Sequence, residues 1–134
     1  MKNKIRKLIF LLLINFFITS NLISEEINFE ANSVELIDKD NRIIAKKNVK
    51  IFNQKETIYA NEMDYDKTNN IIKAKGDIKI KSLEDNIEIF GDELTYFKAE
   101  EKIILKKNVE MNYEKNFFLS TEKIIYDKLK KQIN

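Results

Sequence analysis

Three features of the chain predict an all-β fold built from repeated bent hairpins. Apolar residues alternate with Lys, Asp, Glu and Asn in runs such as GDIKIKS, EDNIEIFG and KNVKIFN, the period of two expected of half-buried strands. Clusters rich in Asn and Asp, DKDN at 38–41, DKTNN at 66–70, EDN at 84–86 and NYEKN at 112–116, break these runs every ~8 to 15 residues and supply side chains that tolerate turn dihedrals without glycine. A segment of about 30 residues then recurs along the chain. The same alternation, with 43% hydrophobic residues, argues against a disordered Lys/Asn/Ile-rich chain.

Residues 1–24, MKNKIRKLIFLLLINFFITSNLIS, have a basic head, an apolar run from Leu8 to Ile18 interrupted by Asn15, and a polar exit. That layout is the layout of a secretory signal peptide. A cut after Ser24 leaves Leu22 where a small residue is preferred, so an uncleaved anchor is the alternative; the apolar run is shorter than the ~20 residues of a full span. A buried N-terminal helix fits these flanks poorly. The folded domain is expected over 25–134, without disulfides, stabilised by burial and strand pairing.

Within that domain, residues 59–80 align without a gap with 30–51, at eight identities in 22, and with 90–111; a fourth copy begins at Ser120 and stops at Asn134, seven residues short. The chain is therefore expected to be truncated in its fourth repeat. The first half of each copy changes parity once. Val34 and Leu36 follow Phe29 and Ala31; Met63 and Tyr65 follow Ile58 and Ala60; Leu94 and Tyr96 follow Ile89 and Gly91; Ile124 and Tyr126 follow Leu119 and Thr121. In a straight strand such a slip would turn the apolar set outward, so a β-bulge or corner is expected there, with a small residue at its edge. The second half alternates cleanly: Ile43, Ala45, Val49 and Ile51; Ile72, Ala74, Gly76, Ile78 and Ile80; Ile103, Leu105, Lys107, Val109 and Met111. These apolar positions form one inner face, on which Ala31, Ala45, Ala60 and Ala74 leave space that a solid core would fill with larger side chains. The face thus favours a groove over a closed sandwich, the plain alternative.

Composition excludes much enzyme chemistry. His and Cys are absent and only two Gly occur, which removes His general bases, Cys nucleophiles and zinc sites built on those ligands, and leaves no Gly-rich phosphate loop. No catalysis, cofactor or metal is expected. The net charge of +2 becomes −2 without residues 1–24, which hold four of the 24 basic residues and none of the 22 acidic ones, a poor balance for nucleic-acid binding. Asp64, Asp66, Thr68 and Asn70 echo a calcium loop but lack its Gly and final Glu; Asp66 and Asp127, each before Lys, fit turn chemistry better. The doublets Lys46–Lys47, Lys106–Lys107 and Lys130–Lys131 read as solvated faces or edge guards rather than a nucleic-acid patch, although basic residues at a groove mouth could meet phosphates.

The pattern A-(N/D)-E-φ-x-Y-D-K-x-x-N-x-I-x-A-x-G-(D/N)-φ-x-I, clearest in residues 60–80, resembles the OstA-like (organic solvent tolerance) domain family. That family includes the periplasmic bridge protein LptA, the N-terminal domain of the outer-membrane assembly protein LptD and, more distantly, the anchored LptC; the resemblance covers about 27–134. It implies an open, twisted β-jellyroll in the periplasm of a Gram-negative bacterium, free or associated with the outer membrane, whose apolar groove carries the acyl chains of lipopolysaccharide. Partners would be lipopolysaccharide and other OstA-like domains joined by edge-strand pairing, here through the last strand with Ile124, Tyr126 and Ile133. The alternative function is an exported structural β-repeat protein that assembles by strand addition without lipid.

Overall fold

The structure, a computed structural model, describes residues 26–114 and 116–134; the leader expected at 1–24 lies outside them. Among the described residues the elements are nine strands, β1 (Asn28–Glu30), β2 (Ser33–Ile37), β3 (Arg42–Phe52), β4 (Glu56–Asp66), β5 (Ile71–Ser82), β6 (Ile87–Phe97), β7 (Lys102–Tyr113), β8 (Phe117–Asp127) and β9 (Gln132–Ile133), and one 3₁₀ turn at Lys98–Glu100. All pairings are antiparallel, in the order β1-β3-β4-β5-β6-β7-β8-β9, with β2 also on β3. The meander follows from the short turns. Asp66 Oδ1 accepts the Asn69 N–H at 2.9 Å, and Asp127 Oδ1 that of Lys130 at 3.0 Å. Asn70, Asn86, Glu101 and Lys131 close their turns at positive φ, conformations that glycine usually supplies and that Asn tolerates best among the rest.

Every long strand is bent at one line across the sheet. The register shifts between Lys46 and Val49, Tyr59 and Glu62, Lys75 and Ile78, Phe90 and Glu93, and Lys106 and Val109. The sequence placed this corner in the first half of each repeat and read the second half as straight. The extra residue instead sits in the second half, on β3, β5 and β7, as a left-handed pair: Lys47–Asn48, Gly76–Asp77 and Lys107–Asn108 all have positive φ. The backbone turns there without changing parity, because Ala45 and Val49, Ala74 and Ile78, and Leu105 and Val109 all stay buried, so the clean alternation conceals the bulge. Lys107 points outward and pairs with Glu93 at 2.7 Å. Amide-to-carboxylate bonds brace the corners, Asn61 to Asp77 at 3.0 Å and Asn108 to Asp92 at 2.6 Å. In the first repeat β1 and β2 are two pieces of one strand interrupted opposite the corner, where Asn32 N–H donates to the Lys47 carbonyl at 3.0 Å.

The corner line divides the sheet into two leaves. One holds 42–46, 62–66, 71–75, 93–97, 102–106 and 123–127; the other holds 49–52, 56–59, 78–82, 87–90, 109–113 and 117–121. The leaves fold face to face. Lys128, just past β8, lies 2.6 Å from Glu56 at the start of β4, although β4 and β8 are four places apart in the strand order and would be roughly 19 Å apart in a flat sheet.

Candidate functional site

The inner faces of the two leaves enclose a single apolar interior. Ile43, Ala45, Val49 and Ile51 of β3, Ile58, Ala60 and Met63 of β4, and Ile72, Ala74, Ile78 and Ile80 of β5 are buried in it. So are Ile89, Leu94 and Tyr96 of β6 and Ile103, Leu105, Val109 and Met111 of β7. None of these side chains is more than 7% exposed, so the leaves are in contact along their middle. Tyr65 and Ile87 pack at the margin. Gly91 takes the corner position of Ala60, and a Cβ there would lie 2.8 Å from Leu105 Cγ; this is the close approach that the small residue at the bend permits.

Two predicted residues sit elsewhere. Val34 and Leu36 pair with Ala45 and Ile43, so they share the inner parity, but they are 47% and 55% exposed because no further strand among the described residues lies beyond β2. They line the bare N-terminal end of the interior. Of the residues assigned to the C-terminal edge, Ile124 is buried in the interior, and Tyr126 and Ile133 are half-buried against it. The edge itself is not wholly bare: β9 pairs with Tyr126 and Asp127, and the Ile125 N–H donates to the Asn134 carbonyl at 2.7 Å. Among the described residues the rest of β8 has no neighbour on that side. There the leaves part into a cleft of about 610 Å³ lined by Leu83, Ile87, Tyr113, Tyr126 and Ile133, with Glu84, Asp85, Glu114 and Lys131 among its polar residues. Phe117, 52% exposed, pairs with Tyr113 beside this mouth.

The sequence reading missed the polar margin. Glu56 occupies an inner position two residues before Ile58 and is 5% exposed. Lys128 Nζ reaches its Oε1 at 2.6 Å and the Tyr96 hydroxyl at 3.3 Å, and lies over the Tyr96 ring at 5.1 Å. One repeat earlier Lys98 meets Tyr65 in the same way, at 3.1 Å from its hydroxyl and 5.2 Å from its ring centre. Tyr126 donates to Asp85 at 3.3 Å across the leaves. Burial works against the Lys128 ammonium, but the Glu56 carboxylate and the Tyr96 hydroxyl outweigh it and hold its pKa well above the ordinary lysine value; burial also raises the Tyr96 phenol. The signal for this margin was strict parity: a carboxylate on an apolar face needs a partner.

The outer faces are charged, and a cavity of about 620 Å³ on one of them is lined by Asp38, Arg42, Asp64, Asp66 and Lys73 among others. Arg42 donates to Asp64 through Nε at 2.8 Å and a second nitrogen at 2.5 Å, and that guanidinium holds the Asp64 carboxyl below the usual range. Asp66 is held low by its own turn. The carboxylates that echoed a calcium loop are therefore engaged by the chain itself, and among the described residues no three or more acidic, His or Cys side chains cluster as metal ligands would. Lys50 and Lys79 lie over Phe52 and Phe90, as solvated lysines on a sheet do.

The sequence matches the family described as OstA-like protein over residues 24–133. Among solved structures, the fold matches LptH of Pseudomonas aeruginosa, described as the LptA homologous periplasmic component of the conserved lipopolysaccharide transport device. The TM-score is 0.73 over 82% of this chain and 81% of that one, at 21% identity, a likeness of fold. No curated protein sequence matches the chain.

Proposed function

The chain belongs to the OstA-like protein family, and from that membership we propose that it is a periplasmic lipid-binding module of lipopolysaccharide transport to the outer membrane, holding acyl chains between its two leaves. The observation that carries this reading is one continuous apolar inner face that ends in exposed apolar side chains at both extremities, Val34 and Leu36 at one and Tyr113 and Phe117 at the other. Each methylene moved from water to such a face gains ~0.8 kcal/mol, so one acyl chain gains on the order of several kcal/mol. That suffices for transient holding without a covalent step. Residues 1–24 would be the export leader.

Photo-crosslinking tests the ligand. Tyr113 faces the mouth between the leaves and Phe118 faces outward from the neighbouring strand; both are aromatic and exposed, so each accepts an aromatic photo-crosslinker with little disturbance. Lipopolysaccharide should be captured in cells from position 113 and not from 118. Equal capture at both would defeat the assignment of the inner face. Absence of capture at both, with intact fold, would favour the second reading, an exported structural repeat, to which the close contact of the leaves lends support.

Neighbouring OstA-like domains are the proposed protein partners, joined by strand pairing at the ends. Because strand N–H groups alternate sides and that of Ile125 faces β9, that of Lys123 faces the same side, beyond the reach of β9. Lys123→Pro removes a donor at that edge without removing a bond to β7, and should weaken self-association or partner capture in analytical ultracentrifugation. A wild-type chain that stays monomeric at high micromolar concentration, alone and with an OstA-like partner, would refute the edge.

A further inference from the structure

The margin where the leaves meet is closed by a contact that the sheet's own pairing does not make. Glu56 begins the β4 half of one leaf, Lys128 follows the β8 half of the other, and no strand-to-strand bond joins them. Their side chains are 7% and 10% exposed, and Tyr96, from the leaf that Lys128 follows, gives the ammonium a second partner. Behind the pair lie Ile58, two residues from Glu56 on the same face, and the Tyr96 ring, both in the interior. An acyl chain that enters between Glu56 and Lys128 must displace the pair, since Ile58 and Tyr96 directly behind it are buried.

We infer that Glu56 and Lys128 form a latch that holds the two leaves shut, and that breaking it is the step that admits an acyl chain to the interior. The inference rests on the lipid-holding function proposed above. Two physical properties suit the pair to this task. A buried ion pair holds strongly against loss of one partner but adds little over apolar closure, because desolvation offsets most of its attraction. Opening to water therefore restores hydration to both ions, whereas opening an apolar margin exposes surface with no such return. An anionic headgroup arriving at the margin can also take over the ammonium in charge-assisted bonds, which makes the lipid itself the agent that releases Glu56.

The test measures uptake of a fluorescent C16 fatty acid by the purified chain, by stopped flow, below the melting transition of each variant. Glu56→Gln and Lys128→Met should each raise the association rate about tenfold. The charge-reversed pair Glu56→Lys/Lys128→Glu should return it toward wild type, and the apolar pair Glu56→Leu/Lys128→Leu should lower it. Arg42→Met is the control: it breaks an ion pair between adjacent strands of one leaf and should leave the rate unchanged. Unchanged rates in both single variants overturn the latch, and so does an equal rise in Arg42→Met. If neither wild type nor any variant takes up lipid, the carrier function fails. Hydrogen exchange then judges the latch alone: amides of 56–58 and 124–128 should exchange faster in the single variants and not in the reversed pair, and no difference overturns it.

Discussion

Glu56→Ala is expected to destabilise the domain by about 3–5 kcal/mol, because it leaves the Lys128 ammonium buried without its partner. For a domain of this size that corresponds to a fall in melting temperature of roughly 15–30 °C. The apolar pair Glu56→Leu/Lys128→Leu should lie near wild type or above it, since the margin then closes without desolvating two ions. Arg42→Met sets the scale. Its bond to Asp64 has two good hydrogen bonds, but the side chains are 47% and 32% exposed, so the loss should stay within ~1 kcal/mol and shrink with added salt. Thermal denaturation of the four proteins checks the order; a Glu56→Ala cost as small as that of Arg42→Met would mean that the margin is open to water. The raised pKa of Lys128 makes its stabilising charge present throughout the neutral and mildly alkaline range, lost only as pH climbs through that raised value. Melting temperature should therefore hold between pH 7 and 9, at about neutral to mildly alkaline conditions, as far as this lysine is concerned.

The corner should be sensitive to both overpacking and loss of packing. Gly91→Ala places a methyl 2.8 Å from Leu105 Cγ, a branch point that cannot swing aside as a side-chain tip can, and should cost about 1–3 kcal/mol. Leu105→Ala removes one of the most deeply buried side chains, 1% exposed, and should cost about 2–5 kcal/mol. Combined, the methyl of the first occupies part of the space vacated by the second. The double variant should therefore cost less than the two separate losses together by about 1 kcal/mol or more, read from urea denaturation. Strict additivity would show that residues 91 and 105 do not meet across the corner.

The periodicity of the chain disclosed its strands because one face of each strand is buried, and a period of two leaves that burial visible in the order of residues. For the same reason most of the apolar positions assigned to the inner face of β3 to β7 lie in the buried interior. Val34, Leu36 and Tyr65 have the right parity but lie at the end or the margin of that interior. Parity is a property of the strand, whereas burial requires a neighbour. The corner was visible as a slip at Ala60 and Gly91, while its left-handed residues were hidden in β3, β5 and β7, since a bulge that preserves parity leaves no mark on the pattern.

Local sequence thus determined what short-range physics controls: antiparallel hairpins of about 30 residues, side-chain facing, Asx-braced turns and the family to which the repeat belongs. The tertiary structure alone decided how far the leaves close and where they close. Glu56 and Lys128 are separated by 72 positions and by three intervening strands, so nothing in their local context marks them as partners. Only the folding of the sheet at its corner line brings them together, because that bend converts a distance along the sheet into a contact across it.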